Sequence, residues 1–281
     1  MTRKRRWYIT LLKYAGLILL GYVFLFPMLW MVSGTFKDNI ELFSSMSLVP
    51  EQFNFDAYIK GWRGSGQFTY TTFFANTIKL VIPTAFFTVL SSTFIAYGFA
   101  RFNFRFKRQL FGIMIGTMML PNAVLVIPRY MLYNAFGWID SYLVFWIPAL
   151  FGCYPFFIFM FVQFFRGIPK ELDEAARIDG CNSFRSLISI YLPLMKPALA
   201  AGFIFQTAWT WEDFFNPLIY ISSTAKYPLS LALRMSLDAA TAIDYTSLLA
   251  MGTLAILPVA ILFFVSQKAF VEGIATTGIK G

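Results

Sequence analysis

Residues 171–180 read ELDEAARIDG, a polar, helix-prone decapeptide between two long apolar segments. Pro169 can take the first helical position, and the acidic residues that follow suit the positive end of a helix dipole. Gly180 can adopt the left-handed conformation that ends a helix. The stretch therefore predicts a helix of about ten residues that leaves the apolar part of the chain.

This predicted helix has one face with little side-chain bulk. With 3.6 residues per turn, Leu172, Ala175, Ala176 and Asp179 share that face, where the alanines would let another backbone approach closely. A second short helix is expected at about 182–191, broken by Pro193. The pair predicts a rigid docking element, although helix caps and charges of this kind also occur in loops without such a role.

The composition places the chain in a membrane. Hydrophobic residues make up 58% and charged residues 13%, against roughly 25% charged in soluble domains. A membrane span needs about 20 mostly apolar residues, and continuous apolar runs favour helices over a barrel. We therefore expect an all-α polytopic protein with six transmembrane helices, at about 8–32, 73–100, 110–132, 142–165, 197–221 and 247–265.

The distribution of basic residues orients these spans. Lysines and arginines concentrate before Tyr14, in 101–108 and in 166–196, and they are sparse in the alternate loops. The positive-inside rule then puts both termini in the cytoplasm. The net charge of +9 is explained by this topology, so no nucleic-acid partner is expected.

The spans and loops form a single predicted transmembrane domain over 1–281. A cytoplasmic loop at about 166–197 contains the decapeptide, and two outer loops lie at about 33–72 and 222–246. For the first outer loop we predict a partly helical cap on the helix bundle. Contact of this loop with an outside partner is the alternative.

Several classes of protein are disfavoured by what the sequence lacks. It has no histidine, no phosphate-binding loop, no nucleophile elbow and no clustered metal ligands. A bound metal, a bound nucleotide and enzymatic catalysis are therefore not expected. A self-contained ion-coupled carrier would be expected to place ionisable groups at the membrane midplane, and the chain offers almost none there.

Polar side chains within the spans are costly and therefore candidates for function. They could line a path for a neutral oligosaccharide, because sugars stack on aromatic rings and bond to amides and carboxylates. The alternative, interfacial anchoring and helix-to-helix contact, stays open. The candidates are Asn122, Gln206, Trp209, Trp211, Glu212, Asp213 and Asn216.

Three stretches resemble one family of transporters. Glu174-Ala175-Ala176, Asp179-Gly180, Ile190 and Leu192-Pro193 resemble the signature loop of permease subunits in ATP-binding-cassette (ABC) importers. The segment 208–219, AWTWEDFFNPLI, is similar to the fifth span of carbohydrate permeases, and the tail from 267 resembles theirs. The chain looks most like the smaller, six-span permease of maltose-type transporters.

The resemblance implies a type I ABC importer permease fold with a cytoplasmic coupling helix, in the inner membrane of a bacterium. The expected partners are a second permease that completes a heterodimer, two ATPase subunits that carry ATP and Mg²⁺, an extracytoplasmic solute-binding protein, the sugar and membrane lipid. A permease for a non-sugar solute is the alternative.

The resemblance also implies roles for particular residues. The residues that would dock onto the ATPase are Glu174, Ala175, Ala176 and Gly180, with Asp179 in support. Those that would contact the binding protein are Asp238, Ala239, Ala240 and Thr241.

Overall fold

The computed structural model describes residues 3–64, 67–238 and 244–278, and within them every regular element is a helix. A π-turn (Leu187–Tyr191) and a 3₁₀ turn (Thr224–Lys226) join the α-helices. The all-α prediction is confirmed. In chain order the α-helices are α1 (Arg3–Gly34), α2 (Asn39–Ser44), α3 (Asp56–Arg63), α4 (Tyr70–Arg101), α5 (Lys107–Thr117), α6 (Asn122–Ala135), α7 (Leu143–Leu150), α8 (Pro155–Gly167), α9 (Glu171–Ile178), α10 (Ser183–Ser186), α11 (Leu192–Glu212), α12 (Phe215–Tyr220), α13 (Leu229–Asp238) and α14 (Tyr245–Gly278).

Five helical segments of the described chain are long and apolar enough to cross a membrane, and a bent pair makes a sixth candidate. The five are Trp7–Gly34, Tyr70–Arg101, Leu143–Gly167, Ser183–Glu212 and Tyr245–Ser266. They correspond to the first, second, fourth, fifth and sixth predicted spans.

The predicted third span is not one continuous helix. Helices α5 and α6 meet at an angle of 102° across a short break. Pro121 stands at this break in an extended conformation. A proline has no N–H to continue the hydrogen-bond ladder, and it disfavours a helical residue before it.

The predicted bounds of the fifth span are wrong at both ends. Pro193 does not separate a short helix from the span, because the helix runs on through the π-turn Leu187–Tyr191 into α11. The N–H of Leu192 bonds to the carbonyl of Leu187, five residues back, and this wider turn accommodates the proline that follows. At the other end α11 stops at Glu212, where Asp213 is extended, and α12 is a separate short helix.

The chain divides into two compact units. The larger unit comprises Thr72–Ala232 and Pro258–Gly281. Its core contains buried aromatic side chains of α8 that pack with Tyr191 and Met195. In α11, Gly202 approaches this core so closely that a Cβ atom there would lie 2.6 Å from Cζ of Phe161.

The smaller unit comprises Met1–Thr71 and Leu233–Leu257. Lys37 is buried in it, and its ammonium donates to the carbonyls of Ser45 (3.3 Å) and Ser47 (2.6 Å). The ammonium also lies 3.8 Å from a carboxylate oxygen of Glu41 in α2. The outer loop thus contains two short helices, α2 and α3, as the cap prediction expects, while contact with an outside partner stays a prediction.

Candidate translocation cavity and docking helix

A cavity of about 850 Å³ lies within the larger unit. Six of the seven side chains predicted to line a path are in its wall: Asn122, Gln206, Trp209, Glu212, Asp213 and Asn216. The seventh, Trp211, is not in the wall, and its ring lies 6.5 Å from the ring of Phe74. The geometry therefore brings together six of the seven side chains that were predicted to line a path.

Two chain breaks supply some of the polar residues of the wall. The break before α6 places Asn122 at a helix start, and the break after α11 frees Asp213 and Asn216 from a continuous helix. The Asp213 carboxylate accepts the backbone N–H of Asn216 at 3.1 Å and its side-chain amide at 2.7 Å. These breaks explain why polar residues that are distant in sequence share one cavity.

Arg129 is a cavity residue that the sequence analysis did not single out. It lies on α6, and its guanidinium donates to Oδ1 of Asn122 at 2.9 Å. The sequence contained a signal, because residues seven apart share a helical face. The wall thus contains the positive charge of Arg129 as well as the acidic side chains of Glu212 and Asp213.

Two buried polar atoms of the wall have no hydrogen-bond partner among the described residues. They are Oε1 of Gln206 and the hydroxyl of Tyr220. The amide nitrogen of Gln206 donates to Oγ1 of Thr210 at 2.8 Å, which leaves its oxygen as a fixed acceptor. Because buried polar groups are nearly always paired, these two atoms are suited to bond to a polar occupant of the cavity.

Next to the cavity wall, Asp140 holds two loops together. Its backbone N–H donates to the carbonyl of Tyr220 at 2.8 Å. Its carboxylate accepts the backbone N–H groups of Ser222 (3.0 Å) and Ser223 (2.8 Å) and the ammonium of Lys226 (2.9 Å). Desolvation alone would raise the pKa of Asp140, but the hydrogen bonds from Ser223, Lys226 and Ser222 outweigh it and lower the pKa below the ordinary value.

Helix α9 is the predicted docking helix, and its end is built as the sequence predicts. Gly180 has φ +72°. Its N–H bonds to the carbonyl of Arg177 at 3.0 Å, and the N–H of Cys181 bonds to that of Ala176 at 2.8 Å. This is a Schellman motif. At the other end the first helical residue is Glu171, with Lys170 as the cap, so the prediction that Pro169 opens the helix is wrong by two residues.

The two alanines of α9 lie in different environments. Ala176 is 2% exposed and packs inside the chain, whereas Ala175 is exposed together with Glu174, Asp179 and Gly180. The expectation that both alanines share a face open to a partner is therefore wrong for Ala176. Ile178, which the sequence analysis passed over, is 87% exposed and is the large apolar side chain of this surface.

The predicted contact region for a binding protein is only partly described. Asp238 is the last residue of α13. Ala239, Ala240 and Thr241 lie outside the described residues. Elsewhere, the described residues contain no group of three or more His, Cys, Asp or Glu side chains that could hold a metal ion.

Comparison with known proteins decides the family. Residues 89–276 match the family described as binding-protein-dependent transport system inner membrane component. The chain belongs to this family. The match contains α9 and the residues predicted to line the cavity, so the permease assignment made from the signature loop is confirmed.

Named relatives and a solved structure agree with the family. The permease is 32% identical over 267 residues to the arabinooligosaccharides transport system permease protein AraQ of Bacillus subtilis (strain 168), covering 94% of this chain and 93% of the relative. It is 28% identical over 277 residues to the galactooligosaccharides transport system permease protein GanQ of the same organism, covering 99% and 98%. Its fold matches a chain in the crystal structure of a bacterial ABC transporter involved in the import of the acidic polysaccharide alginate, with TM-score 0.84, 23% identity and coverage of 95% and 98%.

Proposed function

We propose that this permease forms half of the translocation pathway for a sugar or oligosaccharide in an ATP-driven importer. The names of its relatives support the solute class, since AraQ and GanQ are permeases for oligosaccharides. The permease itself would be non-catalytic, with ATP and Mg²⁺ bound by two partner ATPase subunits. A second permease and an extracytoplasmic solute-binding protein would complete the system.

The observation that carries this proposal is the polar and aromatic cavity, in whose wall two buried atoms have no hydrogen-bond partner in the described part of the chain. Its volume of about 850 Å³ falls in the range of roughly 300–1,000 Å³ that is typical of ligand sites. Gln206 Oε1 can accept a hydrogen bond from a sugar hydroxyl, and the Tyr220 hydroxyl can donate one. Trp209 supplies an aromatic surface in the same wall. A wall of this chemistry suits a hydroxyl-rich solute.

Helix α9 supports coupling to a separate ATPase. Its Schellman end and short length make it stiff, and its exposed surface offers Glu174, Ala175, Ile178 and Asp179 to a partner. We assign docking to these residues and Gly180, with Ala176 anchoring the helix inside the permease. A rigid helix transmits a push as a rigid body, which is what movement of an ATPase would require.

The family and the charge pattern support the proposed location. The family is an inner membrane component, and the basic residues support cytoplasmic termini and a cytoplasmic α9. Helix α1 has no buried residue in its apolar window, so its surface has to be covered by lipid or by another subunit. This supports membrane lipid and a second permease as partners.

Reconstituted transport tests the proposal. The permease is incorporated into liposomes with its partner permease, ATPases and binding protein, and uptake is measured for labelled oligosaccharides, amino acids and peptides. Tyr220→Phe removes a hydroxyl that bonds to nothing in the described chain, so folding is preserved. We expect the KM of oligosaccharide uptake to rise about fivefold, since one hydrogen bond contributes about 1 kcal/mol.

The matched control is Tyr22→Phe, which removes the same hydroxyl from an exposed ring of α1 and should leave KM unchanged. Uptake confined to amino acids or peptides would reject the sugar assignment. Identical kinetics for Tyr220→Phe and Tyr22→Phe would reject the role of the Tyr220 hydroxyl in solute binding.

A further inference from the structure

The last residue of α4, Arg101, has a buried guanidinium that contacts two other helical segments. Its side chain is 5% exposed. One terminal nitrogen donates to Oδ2 of Asp173 in α9 at 3.1 Å. The other donates to the carbonyls of Phe165 (2.8 Å) and Ile168 (2.9 Å). A single side chain thus joins the end of α4 to the end of α8 and to α9.

Arg101 donates to two carbonyls at the end of α8. Carbonyls in the last turn of a helix lack the i+4 partner that the helix interior provides, and Ile168 is the C-cap of α8. The carbonyl of Phe165 also accepts the N–H of Ile168 at 3.2 Å. A guanidinium has donors arranged in a planar fork, so it can serve these carbonyls and a carboxylate at once. The compact ammonium of a lysine lacks that fork.

A tyrosine in the next helical segment completes the contact. The hydroxyl of Tyr191, in the π-turn before α11, donates to Oδ1 of Asp173. The guanidinium carbon of Arg101 lies 4.8 Å from the centre of the Tyr191 ring, a cation–π distance. We call Arg101, Asp173 and Tyr191 the latch. It holds α9 from two sides, through α4 and through the segment that leads into α11.

The latch matters because short segments flank α9. Residues 168–170 precede the helix, and residues 179–182, with Gly180 in the left-handed region, follow it. Without side-chain contacts, α9 could turn about these segments when pushed. With the latch closed, α9 is joined to α4, to the end of α8 and to the segment before α11 by hydrogen bonds, an ion pair and a cation–π contact. In these contacts the Arg101 side chain is 5% exposed and the Asp173 side chain 26% exposed.

We infer that Arg101 is a positioning residue for transport: it fixes α9 to the membrane helices, so that ATPase movement at α9 displaces those helices. The inference rests on the proposed function. Asp173 and Tyr191 act with Arg101, and none of the three docks onto the ATPase. A latch of this kind sets how much solute moves per ATP hydrolysed, after docking has occurred.

The test uses the complete reconstituted transporter with Arg101→Lys, Tyr191→Phe and the double variant. Tyr191→Phe keeps the buried ring and removes only the hydroxyl, so it remains informative if Arg101→Lys folds poorly. Arg105→Lys is the matched control, because Arg105 is an exposed arginine in the loop that follows α4. The measurements are solute uptake, ATP hydrolysis and retention of the ATPase subunits, each relative to the amount of folded permease.

We expect both single variants to retain the ATPase subunits while the ratio of solute moved to ATP hydrolysed falls at least threefold. In the double variant this ratio should fall by less than the product of the two single reductions, since the residues act as one unit. Arg105→Lys should keep the wild-type ratio. An unchanged ratio in both latch variants would reduce Arg101 to a purely structural role, and loss of the ATPase subunits would overturn the claim that the latch acts after docking.

Failure of the proposed function can be distinguished from failure of the latch inference. If the wild-type transporter carries a solute that is not a sugar, the ratio is measured with that solute and the latch is still tested. Ile178→Asp reports on docking alone, since this side chain is exposed and outside the latch. If the ATPase remains bound to that variant, the docking surface is wrong whatever the latch variants show.

Discussion

The contact made by Asp140 allows a local stability prediction with a defined magnitude. Replacing Asp140 by alanine removes the acceptor for two backbone N–H groups, the Ser223 hydroxyl and the Lys226 ammonium. Hydrogen bonds to a charged group each contribute about 1.5–3 kcal/mol. The carboxylate is 24% exposed and the Lys226 side chain 46% exposed, so the ion pair adds little. Because water can replace most of the lost partners at this partly exposed site, we take the value of one such hydrogen bond, about 2 kcal/mol, as the net loss of the contact.

A second contribution comes from the backbone at this position. Asp140 has φ +57°, in the left-handed region. Asparagine and aspartate tolerate this region, whereas alanine is strained there by roughly 1–2 kcal/mol. Asp140→Asn is therefore the matched control, because it keeps the backbone and one acceptor oxygen while losing the charge. We expect its effect to be clearly smaller than that of Asp140→Ala.

Hydrogen exchange of the 221–227 segment measures the effect directly. The lost contact and the backbone strain together amount to about 3–4 kcal/mol in Asp140→Ala. This corresponds to roughly 150- to 900-fold faster exchange at the amides of Ser222 and Ser223. Unchanged exchange of this segment in Asp140→Ala would refute the reasoning, because those amides are the donors that the carboxylate binds.

The pH dependence of this contact has a defined sign. The pKa of Asp140 is lower in the folded protein than its ordinary value of 3.8. The contribution to stability is therefore fully present above about pH 4 and is lost as the pH falls below 3.8 towards the lower folded pKa. Wild-type protection of the 221–227 segment should weaken over that acidic window, and the Asp140→Ala variant should show no such loss.

Two further substitutions test the packing of each compact unit by thermal unfolding in detergent. Gly202→Ala should destabilise the protein by about 1–3 kcal/mol, because its Cβ would lie 2.6 Å from Phe161. The control is Gly112→Ala, whose Cβ would meet nothing within 4 Å and which should be neutral or slightly stabilising. Equal melting temperatures of the two variants would contradict the overpacking argument. Lys37→Met should destabilise by about 2 kcal/mol, because two backbone carbonyls lose their buried donor. Lys60→Met removes an exposed lysine and should change stability by less than about 0.5 kcal/mol; a similar loss in both would show that burial of Lys37 is unimportant.

The sequence predicts the membrane architecture well, because length and apolarity decide which segments cross a bilayer. It also predicts the end of α9, since a glycine after an amphipathic segment adopts the left-handed conformation cheaply. Six of the seven polar candidates share one cavity for a related reason. A polar side chain within an apolar span is tolerated mainly where it faces a partner or water.

The remaining features depend on tertiary contacts that one-dimensional patterns do not contain. Ala176 is buried although its position in the amphipathic pattern matches that of the exposed Ala175. Arg101 and Tyr191, the side chains that contact α9 through Asp173, belong to other elements of the chain. The continuation of the helix past Pro193 depends on a π-turn, which shifts the bonding partner of Leu192 by one residue. Pro121 is a sequence signal for a helix break, but the apolar residues on both sides of it favour the prediction of one continuous span.

The bend between α5 and α6 has a consequence for how the cavity can change shape. A continuous helix resists bending because each turn is hydrogen-bonded to the next. At the 102° bend before Asn122 these helical hydrogen bonds are interrupted. Backbone groups freed at such a corner are tolerated at membrane depth where they border a wet cavity or protein. The break before Asn122 therefore places a hinge in one wall of the cavity, at which α6 can tilt without loss of hydrogen bonds within either helix.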